Sequence, residues 1–378
     1  MTDTRRRVSL TAAAGLGLCL ALLPVGQAQA GQEHPPPSVP CGDTAALKTA
    51  ITTANTSGGA ITLAANCVYS LTEADNPDDG LPEITGTVRI SGGDRTVIQR
   101  ASSATGDFRI FHVAPGGSLG LDALTVRGGT ADGTGYGAAG GGILNDQGTL
   151  KLTGVTVRSN RAGFIAGGIW NNLGTLVLKN TTIHDNASRI GGGVATSGTM
   201  TMEGGALRGN SSDSWGGALA NAGDTKLNNV SVADNSSGLG GGIMTLTINN
   251  DSGPLSLEST QVTGNIAESS GGGVFIGIHE PTTLKKSTVT RNTANGGPTT
   301  GGGINNDGRL FGAIINPTAL PQLQDSAATD AADPALPTVD LIDSSVVNNT
   351  PTNCAPPGSV PHCDNAGTTW AAPTAKTP

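Results

Sequence analysis

Aromatic residues make up only 3% of this 378-residue chain, and charged residues only 13%. So few rings exclude a core centred on one aromatic cluster and leave a thin core of aliphatic side chains. The charge balance is acidic, −8 at pH 7, which argues against nucleic acid as a partner, because a phosphate backbone is held by lysine and arginine. There is no phosphate loop, no nucleophile elbow and no H-E-x-x-H, and the calcium-binding nonapeptide G-G-x-G-x-D does not recur. No Cys/His spacing suits zinc, so the sequence names no metal and no cofactor. Outside Val8–Leu23 no apolar run is long enough to cross a membrane.

What the chain has in quantity is glycine, 58 residues, and it is placed periodically. A glycine pair before an aliphatic residue recurs at Gly141-Gly142-Ile143, Gly167-Gly168-Ile169, Gly192-Gly193-Val194, Gly216-Gly217-Ala218, Gly241-Gly242-Ile243, Gly272-Gly273-Val274 and Gly302-Gly303-Ile304. The steps are 26, 25, 24, 25, 31 and 30 residues, a solenoid period. Each pair is followed by an alternating segment that ends in asparagine: Asn160, Asn186, Asn210, Asn235, Asn265, Asn292 and, after an interruption, Asn349.

Alignment on these asparagines separates the columns by face. Three residues before each stand Val157, Ile183, Leu207, Val232, Val262, Val289 and Val346; eight before stand Leu152, Leu178, Met202, Leu227, Leu257, Leu284 and Leu341. Four residues before, the column is polar or small, from Thr156 to Ser345. Alternation with period 2 marks a strand, so the chain reads as an all-β parallel β-helix. The asparagines are expected to stack their amides ~4.8 Å apart and to tolerate left-handed backbone at a corner. The glycine pairs are expected to allow positive φ at a second corner.

The segments follow from this frame. Arg5-Arg6-Arg7, the apolar run Val8–Leu23 and Ala28-Gln29-Ala30 read as a signal peptide over residues 1–30, hence a secreted or extracellular protein. Its removal would take away three arginines and one aspartate and leave a still more acidic chain. Residues 31–40 read as a flexible, proline-rich lead-in, and 41–118 as an N-terminal cap with the first coils. Within the cap, Asp43 or Thr44 starts a short helix whose Leu47, Ala50, Ile51 and Ala54 share a face. The repeats occupy 119–312, a surface loop 313–338, the last coil and a disulfide cap 339–363, and a disordered tail 364–378. Of the cysteines that remain, Cys41, Cys67, Cys354 and Cys363, the pairing Cys41–Cys67 and Cys354–Cys363 is favoured, because local loops close at the lowest entropic cost.

In its glycine-pair repeats, the Cys41 start with its helix and the Asn-Cys…Cys ending, the chain resembles the secreted right-handed parallel β-helix repeat proteins of actinobacteria. Over roughly Cys41 to Cys363 it is also similar to the repeats of bacterial polymorphic outer-membrane proteins, which join G-G-A-Φ to F-x-x-N. It carries Val, Ile or Leu where that motif has Phe. The resemblance implies a pectin-lyase-like fold, a secreted or cell-envelope location, adhesin-like behaviour and, for many members, no assigned chemistry.

Candidate binding residues lie on an outward column two residues before the asparagine position, which Gly129 holds on the first of these coils: Arg127, Arg158, His184 and Arg208 on four consecutive coils, then Ala233, Thr263 and Thr290. Arginine suits carboxylate and sulfate, so the expected partner is an acidic polysaccharide or another cell-wall or surface glycan. The expected function is a non-catalytic carbohydrate-binding, cell-surface-binding or structural solenoid. The alternative is a polysaccharide lyase or glycoside hydrolase. For the hydrolase, Asp185 and Asp234 share the next column two coils apart. Trp170 and Phe275, grouped with Leu144, Leu219 and Met244, are expected to be core and not sugar platforms.

Overall fold

The structure, a computed structural model, describes residues 38–365 except 134, 250, 278–279, 307–309, 315–321 and 327–335. The expected signal peptide, the lead-in up to residue 37, most of the loop expected over 313–338 and the tail from 366 onward lie outside the described residues.

The described chain is a parallel β-solenoid. Successive coils stack their strands into a 19-stranded sheet, a nine-stranded sheet and a seven-stranded sheet. One coil shows the plan. Ile169–Asn172 contributes to the nine-stranded sheet, Thr175–His184 forms a bent strand of the longest sheet, and Ala187–Ile190 joins the narrow third sheet. Register between coils is one to one: Leu152 pairs with Leu178, Val157 with Ile183, and Leu178 with Met202. The aliphatic columns fill the bore, where Val157, Ile183, Leu207, Val232, Val262 and Val289 are all fully buried.

The asparagine column is a continuous hydrogen-bonded ladder. Asn160 Nδ2 donates to Asn186 Oδ1 at 2.9 Å, and the same bond joins Asn186 to Asn210 (3.0 Å), Asn210 to Asn235 (3.0 Å), Asn235 to Asn265 (2.9 Å), Asn265 to Asn292 (2.9 Å) and Asn292 to Asn349 (3.0 Å). Each Oδ1 also accepts the backbone N–H of the preceding asparagine, for example Asn186 N to Asn210 Oδ1 at 3.1 Å. The left-handed residue, however, is the one before: Ser159, Asp185, Gly209, Asp234, Gly264, Arg291 and Asn348 have φ of +53° to +67°. The asparagine itself turns its amide inward to satisfy buried backbone groups at the corner. The corner's strain falls on its outer neighbour.

The glycine corner needs a similar correction. Positive φ falls on the residue preceding the pair, at Gly140, Ala166, Gly191, Gly240 and Gly271. The pair itself is a place of close approach: a Cβ on Gly192 would collide with the backbone carbonyl of Ser211 on the next coil. Coil four shifts by one residue, because Leu219, not Ala218, pairs with Val194. Gly216 therefore takes the left-handed place (φ +66°), and Gly217-Ala218-Leu219 is the equivalent of Gly192-Gly193-Val194. Ala220, not Leu219, then occupies the Trp170 column.

That column belongs to a second apolar cluster, outside the bore. Leu144, Trp170, Ala195, Ala220, Met244 and Phe275 point outward from the nine-stranded sheet and are fully buried beneath Phe164, Ile165, Ile190 and Trp215 from the segments that lead into the glycines. Trp170 and Phe275 are core, as expected from the sequence, but of this second cluster.

The ends are tied down. Asp43 Oδ1 accepts from Ala46 N at 2.8 Å and caps the helix Thr44–Ser57, whose Leu47, Ile51 and Ala54 are buried against the first coils. Ser38–Val39, inside the expected flexible lead-in, pairs in parallel with Thr62–Leu63. Both favoured disulfides are formed, Cys41–Cys67 and Cys354–Cys363. Asp364 and Asn365, assigned from sequence to the tail, instead bond to the last coil: Asn353 Nδ2 donates to Asp364 O at 2.7 Å and Cys354 N to Asn365 Oδ1 at 2.9 Å. Leu310–Ile314, which crosses from the expected repeats into the expected loop, forms an antiparallel pair with Gln322–Ser326 inside it, and Thr247–Ile248 joins its edge.

Candidate functional site

The longest sheet carries the basic column in register. Arg127 pairs with Arg158, Arg158 with His184, and His184 with Arg208, followed by Ala233, Thr263 and Thr290. With strands ~4.8 Å apart, four rungs span ~14 Å, the length of two or three sugar units. Arg127 Nε donates to Gln99 Oε1 at 2.7 Å. Burial and the neighbouring Arg158 pull the Arg127 guanidinium below the ordinary arginine value. His184 Nδ1 lies 2.7 Å from Asp185 Oδ2.

Several other cations on this sheet differ in their partners, although Lys151, like the arginines of the column, makes no ion pair among the described residues. Arg89, Lys179, Lys226 and Lys285 each have a carboxylate within 4 Å, on Asp122, Glu203, Asp224 and Glu258. Arg158 and Arg208 make no ion pair among the described residues. Asp185 and Asp234 both sit at left-handed corners with Gly209 between them, and the Asp185 carboxylate is engaged by His184. They are corner residues facing solvent, two coils apart.

A second constellation bears no sequence motif. Residues 78–84 run beside the strand Phe111–Val113 and the residues before it, through parallel bridges Asp79 to Arg109 and Ile84 to Val113. Backbone bonds fix the match: Gly80 N to Arg109 O (2.8 Å), Arg109 N to Asp78 O (3.0 Å) and Ile84 N to His112 O (2.9 Å). Asn76 Oδ1 accepts from Asp79 N at 3.0 Å and turns the chain into this segment. Asn55 of the capping helix clamps its far end, donating to Glu83 O (2.6 Å) and accepting from Thr85 N (3.0 Å) and Gly86 N (3.1 Å).

The result is a cavity of about 450 Å³ lined by Asp75, Asp78, Asp79, Glu83, Arg109 and His112 among others. Arg109, 1% exposed, places Nε 2.8 Å from Asp79 Oδ1, itself 3% exposed. His112 Nδ1 lies 3.3 Å from Asp79 Oδ2 and 3.0 Å from Glu83 Oε1. Burial alone would raise the Asp79 carboxyl, but the His112 hydrogen bond and the Arg109 charge outweigh it and hold the group below its ordinary value. Burial lowers the Arg109 guanidinium, offset in part by Asp79, Asp78 and Glu83. His112 sits in register beside Leu144, at the head of the second apolar column. The sequence did hold one signal: Asp79 to Arg109 and Glu83 to His112 are each about one coil length apart, the solenoid period.

No protein-family model, curated protein or solved structure matches this chain.

Proposed function

We propose that this protein is an exported, non-catalytic binding solenoid whose basic column holds an acidic polysaccharide of the cell wall or a cell surface. The observation that carries the reading is the register of Arg127, Arg158, His184 and Arg208 on consecutive coils, with Arg158 and Arg208 unpaired among the described residues. Cations that lack a carboxylate partner keep their charge available to an incoming anion, and Arg127, Arg158 and Arg208, spread over four consecutive coils with His184 already engaged by Asp185, suit the linear charge of a uronic-acid or sulfated chain. The apolar N-terminal run after Arg5-Arg6-Arg7 and the two disulfides support export.

The test is binding of the mature protein to uronic-acid, sulfated and neutral oligosaccharides at low and high salt. Acidic oligosaccharides should bind, salt should weaken them, and Arg158→Ala with Arg208→Ala should weaken them at least about tenfold with the fold intact, each charge-assisted contact carrying about 1.5–3 kcal/mol. Equal binding by the double variant would remove the column from the account. The same incubations, read for unsaturated uronate absorbance and new reducing ends, discriminate the lyase or hydrolase reading. The observation in that reading's favour is the His112, Asp79, Glu83 and Arg109 cavity.

A further inference from the structure

We propose that Asp79, Glu83 and His112 form a binding site for one divalent cation of the Zn²⁺ class. The imidazole nitrogen already lies near coordination spacing from both carboxylates. For metal–ligand bonds of about 2.0–2.2 Å, neighbouring ligands of a tetrahedral ion are about 3.3–3.6 Å apart. His112 Nδ1 is 3.3 Å from Asp79 Oδ2 and 3.0 Å from Glu83 Oε1, and the three donors all lie within 4.8 Å of one another. The other ring nitrogen, Nε2, is buried with no hydrogen-bond partner among the described residues, so the imidazole bonds only through the edge that faces the carboxylates.

The surroundings suit a cation. Arg109 Nε holds Asp79 Oδ1 at 2.8 Å, which orients Oδ2 toward His112 in the manner of an outer-shell partner. Its charge is matched by Asp78, whose Oδ2 lies 4.0 Å from Arg109, while Asp75 pairs with Lys48 at 3.4 Å. The charges of Asp79 and Glu83 are left to balance a doubly charged ion. One imidazole and two carboxylates favour a first-row metal over Ca²⁺, which takes six to eight oxygens. Binding takes the Nδ1 lone pair and both carboxylates: the neutral ring keeps its one proton, on Nε2, a second proton leaves to solvent if the ring enters as imidazolium, and the cavity supplies water as the fourth ligand.

The test is equilibrium dialysis of the intact, disulfide-bonded protein against Zn²⁺. The wild type should take up one ion that His112→Ala loses. Glu83→Gln changes an exposed side chain and should weaken uptake at least about tenfold with the fold unchanged. His184→Ala, far along the chain on the other sheet, should leave it unaltered. Cobalt in place of zinc should give the intense visible absorbance of a four-coordinate ion. Uptake by the wild type no greater than by His112→Ala would overturn the proposal and leave an imidazole bridging two carboxylates through its proton. Uptake unchanged by both substitutions would place any bound ion elsewhere and overturn it equally.

Discussion

Replacing Asn210 by alanine tests whether the amide ladder carries the stability of the central coils. Asn210 Oδ1 accepts from Asn186 Nδ2 at 3.0 Å and from Asn186 N at 3.1 Å, and Asn210 Nδ2 donates to Asn235 Oδ1 and to Ile183 O, both at 3.0 Å. Asn186 Nδ2 keeps Val157 O and His184 O, and Asn235 Oδ1 keeps Asn210 N. The buried Asn186 N–H keeps nothing. An orphaned buried donor costs about 1–3 kcal/mol and each of the three further lost bonds about 0.5–1.5 kcal/mol, so the truncation should destabilise these coils by about 3–7 kcal/mol.

Because each coil depends mainly on its neighbours, the loss should stay local. Hydrogen exchange at the amides of Asn186 and Ser211 should accelerate at least about 100-fold, at 1.4 kcal/mol per factor of ten, with the first coils unaffected. Asn210→Asp sharpens the test. It keeps the acceptor but turns an oxygen toward Ile183 O and Asn235 Oδ1, so burial raises its carboxyl above the unfolded value. The destabilisation therefore sets in as pH rises past the ordinary carboxylate value, grows until the raised folded value is passed, and is relieved over the same interval as pH falls. Unchanged exchange at Asn186 in Asn210→Ala would refute the reasoning.

Trp170→Ala empties a fully buried site in the outer apolar cluster and should cost about 3–5 kcal/mol in denaturant titration. A Cβ added at Gly154 (φ +60°) would meet nothing within 4 Å, so Gly154→Ala should cost only the left-handed strain of about 1–2 kcal/mol. Gly192→Ala meets the Ser211 carbonyl and, at 2.6 Å, the Gly217 carbonyl, and should cost about 3 kcal/mol or more; equal melting of the two variants would contradict the close approach. Reducing Cys41–Cys67 and Cys354–Cys363 should raise exchange at the two ends while residues 140–300 stay protected, and uniform loss of protection would count against independent coils.

The bore was legible because burial on one side of every coil imposes the same alternation many times, and repetition averages out local accidents. The asparagines were legible for the same reason, although their backbone was not: which of two adjacent residues turns left-handed depends on which must face inward. Coil four was misread because Gly216-Gly217-Ala218 fits the motif in either of two registers, and only the pairing of Leu219 with Val194 and Ile243 chooses between them. The outer cluster was misjudged in extent, since Phe164, Ile165, Ile190 and Trp215 come from segments without the strands' regular alternation. The Asp79 and His112 cavity was hidden because residues 78–84 carry neither the glycine pair nor the asparagine that mark the repeats, although their separation from Arg109 and His112 is about one coil length.

That location follows from the geometry of stacking. On a regular coil each outward side chain meets its counterparts at the strand spacing of ~4.8 Å, which suits a long anionic polymer laid across Arg127 to Arg208. It does not suit a chelate. Donors for a single ion must converge to about 3.3–3.6 Å, closer than identical positions on successive rungs. Residues 78–84 escape the constraint because they are not a repeat: the Asn76 turn and the Asn55 clamp bring Asp79 and Glu83 to His112 from different points of one irregular segment. The Asp79 carboxylate then spans two partners, Arg109 through Oδ1 and His112 through Oδ2. The two proposed kinds of recognition would therefore fall on different sheets and not at different heights: His112 is on the end strand of the nine-stranded sheet, and Arg127, on the same coil, begins the basic column of the longest sheet.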